Sequence, residues 1–158
     1  MSLPRDPSDR MQRGVPQGAR RLGDFQGRWR LEREIKDLAA GEIMRLSGEV
    51  AFAPRADGLS YEERGVLSLP DGRALTAVRR YLWREEGGRI VVHFDDGRFF
   101  HSFDPGAASA EAAHFCDPDD YEVRYDFSSW PEWSSRWRVR GPRKDYVMVS
   151  RYRSALRS

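Results

Sequence analysis

From Trp29 to Tyr152 apolar residues recur at alternate positions, in one short segment after another, with Gly-, Asp- and Pro-containing turns between them. A period of two marks a β-strand with one buried face, and roughly ten such segments exceed what a flat open sheet carries comfortably. The first segment places Trp29, Leu31, Arg33 and Ile35 on one face and Arg28, Arg30, Glu32 and Glu34 on the other. No long amphipathic helix interrupts the pattern. Closely spaced strands joined by short turns predict an all-β fold, a closed or nearly closed up-and-down antiparallel barrel of about 8–10 strands. Closure removes exposed strand edges and leaves room for one small ligand.

Turn chemistry carries the faces from strand to strand. Asp71-Gly72 and Asp96-Gly97 read as two-residue hairpin turns, whose central positions require positive φ. Counting outward from them sets Glu63 opposite Arg80, Leu67 opposite Thr76 and Val92 opposite His101. Phe99, His101 and Phe103 then face inward, while Arg79, His93 and Phe100 face outward. The Asp117–Asp120 turn sets Cys116 against Tyr121 and His114 against Val123, with Tyr125 and Phe127 continuing that face. In the last strand two parities stay open: Val147, Val149 and Arg151 inward, or Tyr146, Met148, Ser150 and Tyr152.

The expected inner face is not purely apolar. It holds Arg33, Glu63, Arg80, His101, His114 and Cys116. Two guanidiniums against one carboxylate leave a positive charge uncompensated, which is costly in a dry interior and calls for water or an anion. The guanidinium fork suits carboxylate or phosphate. His101, His114 and Cys116 also have the chemistry of metal ligands or of an acid–base or nucleophilic set. The chain has neither the Cys-x-x-Cys nor the His-x-x-x-His spacing of common metal sites and no oxyanion-hole signal, so no metal and no cofactor are expected.

The 158 residues suffice for one domain with a single core. Residues 1–22 are rich in Pro, Arg, Gly, Asp and Gln without periodicity and read as a flexible tail, leaving 23–158 as the barrel. An aromatic content of 12% excludes a disordered protein. Basic and acidic residues number 27 and 25, a net charge of +2, which argues against a bulk nucleic-acid binder. The single cysteine, Cys116, fits a reducing compartment, and no apolar run is long enough to cross a membrane as a helix. A cytoplasmic protein is expected.

Phe25-Gln26-Gly27-Arg28-Trp29 resembles the opening Gly-x-Trp of lipocalin-like (calycin) barrels. That resemblance implies a Trp29 that plugs the closed end beneath a basic side chain from a late strand, which Arg151 would supply. Gly97-Arg98-Phe99-Phe100-His101, His114-Phe115-Cys116 and Trp137 to Tyr146 are similar to a bacterial family of unknown function, over Gly23 to Arg153. The resemblance implies a lipocalin-like barrel and brings no activity with it. The second Gly-x-Gly and late His of haem-binding nitrobindin-type barrels are missing, as is the Arg-x-Tyr clamp of fatty-acid-binding proteins.

These readings converge on a barrel that binds a small anionic or amphipathic molecule. Arg33, Glu63 and Arg80 would be its polar anchors, and His101, His114, Tyr121 and Tyr125 would line the pocket. Leu46, Val92, Phe103 and Trp137 would supply apolar wall. The alternatives are an enzyme on the same scaffold, a lyase, isomerase or hydrolase using His101 or His114 as general acid or base, with Cys116 as a candidate nucleophile, and a structural or partner-binding barrel with a filled interior.

Overall fold

A computed structural model of the chain describes residues 20–155. A 3-10 helical turn, Leu22–Phe25, leads into ten antiparallel strands: β1 (Gly27–Asp37), β2 (Ile43–Arg55), β3 (Gly58–Ser68), β4 (Ala74–Glu86), β5 (Arg89–Phe94), β6 (Phe99–Phe103), β7 (Ser109–Cys116), β8 (Asp119–Asp126), β9 (Trp133–Arg140) and β10 (Asp145–Ser154). They form one sheet in the order β6-β5-β4-β3-β2-β1-β10-β9-β8-β7. Strands adjacent in sequence pair as hairpins, except at the β6–β7 connection, and β1 also pairs with β10. The result is a nearly closed barrel whose two sheet edges are β6 and β7. Among the described residues no helix is long and apolar enough to cross a membrane. Residues 1–19 of the expected tail lie outside the described residues, whereas Arg20, Arg21 and Leu22 are placed against the barrel.

Alternation sets the interior. Trp29, Leu31 and Arg33 of β1 are buried with exposed residues between them, and the same period continues through Leu59, Tyr61 and Glu63 of β3. Gly48 and Gly65 lie opposite one another across β2 and β3. A Cβ on Gly48 would strike the Arg64 backbone, so the two glycines permit a close approach that no other residue allows.

The first Asp-Gly hairpin differs from the two-residue expectation. Gly72 donates its N–H to the Leu69 carbonyl at 3.0 Å and Leu69 donates to Arg73 at 2.8 Å, so the loop has three residues, Pro70-Asp71-Gly72. Gly72 has φ of +89°, as a type I turn followed by a left-handed residue requires. A two-residue turn would have needed an N–H from position 70 to close its last pair, and proline has none. The register therefore slips by one. Glu63 stands opposite Arg79, Glu62 opposite Arg80 and Leu67 opposite Leu75. Arg79 takes the inner face, and Arg80 is an exposed residue whose Nε donates to Glu62 at 3.0 Å on the outside.

The second hairpin has the same three-residue loop, with Gly97 at φ of +92° and Phe94 donating to the Arg98 carbonyl at 2.8 Å. Here a bulge restores the register: His93 pairs with Phe99, Val92 pairs with His101, and Phe100 is the extra residue. His101 therefore faces inward as expected. Phe99 and Phe100 exchange their expected places, with Phe99 51% exposed and Phe100 5%. The β7–β8 turn is tighter than expected, setting Cys116 opposite Asp119 and His114 opposite Tyr121. In β10 the parity resolves to Met148, Ser150 and Tyr152 inward, with Arg151 exposed.

Candidate functional site

One end of the barrel is closed. Phe25 from the helical turn meets Trp130 and Trp133 edge-on, with centroids 5.0 and 5.3 Å away, and Trp29 lies 5.5 Å from Trp130. Trp29 is buried, and its indole N–H donates to the Phe25 carbonyl at 2.8 Å. The basic residue over this plug is Arg20, not Arg151. The Arg20 guanidinium carbon sits 4.9 Å from the Phe127 ring centroid and 5.2 Å from that of Trp130, while Nη2 donates to the Ala107 carbonyl at 2.6 Å.

Above the plug lies a cavity of about 270 Å³, near the lower end of the ~300–1,000 Å³ usual for small-molecule pockets. Eleven of its nineteen lining side chains are Phe, Tyr or Trp. Strand alternation delivers them: Tyr81 and Trp83 from β4, Tyr121 and Tyr125 from β8, Trp133 and Trp137 from β9, and Tyr146 and Tyr152 from β10. Aliphatic wall is limited to Val92 and Met148. The expected wall residues Leu46 and Phe103 belong to the packed core instead.

The charged part of the lining falls into three units. Arg33 makes a two-point contact with Glu63, Nη1 to Oε2 at 2.6 Å and Nη2 to Oε1 at 2.9 Å, and its Nε donates to Ser150 Oγ at 2.7 Å. The Tyr61 hydroxyl donates to Glu63 Oε1 at 2.6 Å and lies 3.2 Å from the Tyr152 hydroxyl. Burial opposes both charges, but each partner more than offsets it. Arg33 is thereby held well above the ordinary arginine value and Glu63 below the ordinary carboxylate value, so the pair stays ionised. Lys144, toward the open end, pairs with Asp119 at 3.1 Å and donates to the Tyr121 hydroxyl at 3.3 Å.

Arg79 is the third unit. Its surface is open to the lumen although the surrounding protein desolvates it, and nearby Tyr81 and Glu63 outweigh that desolvation to raise its proton affinity. Among the described residues it has no salt-bridge partner. The cation left over is thus Arg79, where the sequence pointed to Arg80.

His101 is buried between Phe100 and Phe103, and its Nε2 lies 2.9 Å from the Tyr125 hydroxyl. Burial, reinforced by His114, pushes its pKa down to about 3, so it is neutral at physiological pH. Its Nδ1 has no partner, nor do the Nε1 atoms of Trp83 and Trp133, all buried ring nitrogens of lining residues.

The expected site residues therefore divide. Arg33, Glu63, His101, Tyr121 and Tyr125 come together at the cavity; Arg80 does not. His114 is half-buried behind the wall, with ring centroids 5.5 Å from Phe100 and 6.2 Å from Phe99. Cys116, half-buried beside the β7–β8 turn, is also away from the lining. Two consequences follow: His101 and Cys116 form no nucleophile–base pair in the cavity, and no three His, Cys, Asp or Glu residues among those described converge on a metal site. Sequence reasoning missed Arg79, Lys144, Tyr81 and Tyr146. Pro70 was the signal that would have found the first.

The profile of a family of unknown function, DUF6314, matches residues 25–154. No curated protein matches the chain. Among solved structures, the S-type phycobiliprotein lyase CPES from Guillardia theta is similar in fold. Its TM-score is 0.64 at 11% identity, covering 91% of this chain and 98% of the other. A de novo designed fluorescence-activating β barrel aligns with a TM-score of 0.36 at 16% identity, over 84% and 95% of the two chains, too distant to bear on the argument.

Proposed function

This chain belongs to the DUF6314 family, and we propose that it is a binding protein for a small anionic or amphipathic molecule held inside the barrel. The observation that carries this reading is Arg79, a cation without a carboxylate partner among the described residues, facing a cavity of about 270 Å³. Arg79 is open to the lumen yet desolvated by the surrounding protein, and a ligand carboxylate or phosphate supplies a counter-charge that brings its own hydrogen bonds. The Arg33–Glu63 pair, already saturated by Ser150 and Tyr61, acts in this reading as rigid wall rather than as the anion hook. A cavity of this size speaks against a filled, purely structural interior. His101, neutral down to a pKa of about 3, is suited to hydrogen bonding and makes a weak general base, so the reading favours binding over catalysis. The likeness to a lyase is a likeness of fold alone. A cytoplasmic, bacterial setting accords with the lone Cys116 and the family resemblance of the sequence.

Isothermal titration of the full chain with benzoate and with octanoate tests this. At least one should bind at a single site, at least tenfold more weakly in Arg79→Gln. Absence of saturable binding by either anion at 10 mM, or equal affinity in the variant, would overturn the reading.

A further inference from the structure

The lumen says more about its guest than the sign of its charge. Near-parallel rings build part of the wall: Phe94 on Phe100 at 4.5 Å and 19°, Phe100 on Trp137 at 5.1 Å and 17°, and Tyr81 on Phe100 at 5.7 Å and 29°. Such a wall offers a flat guest the offset-stacked and edge contacts that aromatic rings prefer. A flexible alkyl chain gains little from it, since Val92 and Met148 are the only aliphatic lining residues and ordering each rotor costs entropy. Charge is equally restrictive. Arg33 cancels Glu63, Lys144 is held by Asp119, and Arg79 is left with one unit to balance.

We infer that the pocket takes a flat aromatic or conjugated monocarboxylate, its carboxylate on Arg79 and its ring against the Phe100 and Trp137 wall. The inference rests on the binding reading above and narrows its ligand class. Arg79 and the stacked rings divide the work: the cation selects for one negative charge, and the wall selects for a flat guest. Aliphatic acids of similar length satisfy the cation alone. Neutral aromatics satisfy the wall alone.

Titration calorimetry of the full chain at pH 7.5 with four probes separates these contributions: 4-hydroxycinnamate, cinnamate, methyl 4-hydroxycinnamate and octanoate. Both 4-hydroxycinnamate and cinnamate should bind at least tenfold tighter than the ester or octanoate. Arg79→Gln should abolish the preference for acid over ester. Arg79 lies outside the packed core, and the wild-type acid–ester comparison stands even without a folded variant. Octanoate binding as tightly as 4-hydroxycinnamate would overturn the aromatic class and leave the anion pocket standing. An ester that binds as well as the acid would overturn the charge assignment and the anion pocket with it. No saturable binding of 4-hydroxycinnamate at 1 mM would overturn the whole inference.

Discussion

At the closed end of the barrel Phe25, Trp29, Trp130 and Trp133 meet at steep angles, from 54° to 88°, and Arg20 lies across Trp130. Toward the open end Phe94, Phe100 and Trp137 lie within 19° of parallel, and Arg79 sits among tyrosines without a carboxylate partner among the described residues. Both ends use aromatic rings and an arginine. Steep angles interlock rings in three dimensions and fill space, whereas parallel rings line a slot and leave its width to a guest. The same residue types serve stability at one end and recognition at the other, and orientation decides which.

That contrast breaks most visibly at the plug. Trp29→Ala should cost about 3–5 kcal/mol, as large aromatic core deletions do. Trp137→Ala, a half-buried residue already bordering empty space, should cost less than half of that. Urea midpoints measure both, and equal losses would show that the open end is packed as tightly as the closed one.

The Arg33–Glu63 pair lies between the two ends and belongs energetically with the plug. Glu63→Ala strands a buried guanidinium and should cost roughly 3–5 kcal/mol, against at most about 1 kcal/mol for Glu62→Ala, whose partner Arg80 is on the surface. Similar losses from the two variants would place Glu63 in solvent.

His101 gives the contrast a pH dependence. Its folded pKa of about 3 lies below the unfolded value of 6.5, so the unfolded chain binds the proton first as pH falls. The stabilisation is fully present above roughly pH 6.5 and is lost as pH drops toward 3, at about 1.4 kcal/mol per pH unit in mid-range. Glu63, with its depressed pKa, adds its own loss only below the ordinary carboxylate range, so pH 5 to 6.5 isolates the histidine. Denaturation midpoints across that window should fall in wild type and stay flatter in His101→Gln, which retains a partner for Tyr125. A slope unchanged by the substitution would mean that another group titrates.

The smallest effects are expected at the neighbours Arg79 and Arg80. Alanine at either should change stability by no more than about 0.5 kcal/mol, while only the Arg79 change should alter anion binding. A ligand-affinity loss in Arg80→Ala would reverse the register.

Those two residues also show what the sequence made legible. Strand period identified the barrel and the inward Arg33 and Glu63, because alternation is a local signal, whereas the plug at Trp29 followed from the resemblance of Gly27-Arg28-Trp29 to the calycin opening. Register was harder to read. Asp-Gly serves two-residue and three-residue loops alike, and the choice rested on the missing N–H of Pro70. At the second hairpin a three-residue loop and the Phe100 bulge cancelled, so His101 was placed correctly by two errors of opposite sign. His114 and Cys116 have the right parity for the interior but lie beside the turn at the barrel's end, a position that alternation does not report. Arg20 falls before the periodic region, where no pattern exists to read.

The strand order ends at β6 on one side and β7 on the other, and no ladder joins them. Instead, rings face each other there: His114 of β7 packs against Phe99 and Phe100 of β6. The barrel is therefore a split ring. In a fully laddered barrel strand number and stagger set the girth, and widening it means breaking backbone hydrogen bonds. Here the circumference is closed at one place by side-chain contacts and the short 104–108 connection, without a ladder. A guest slightly too wide for the lumen strains a clasp of aromatic contacts, and the nine laddered strand pairs keep their bonds.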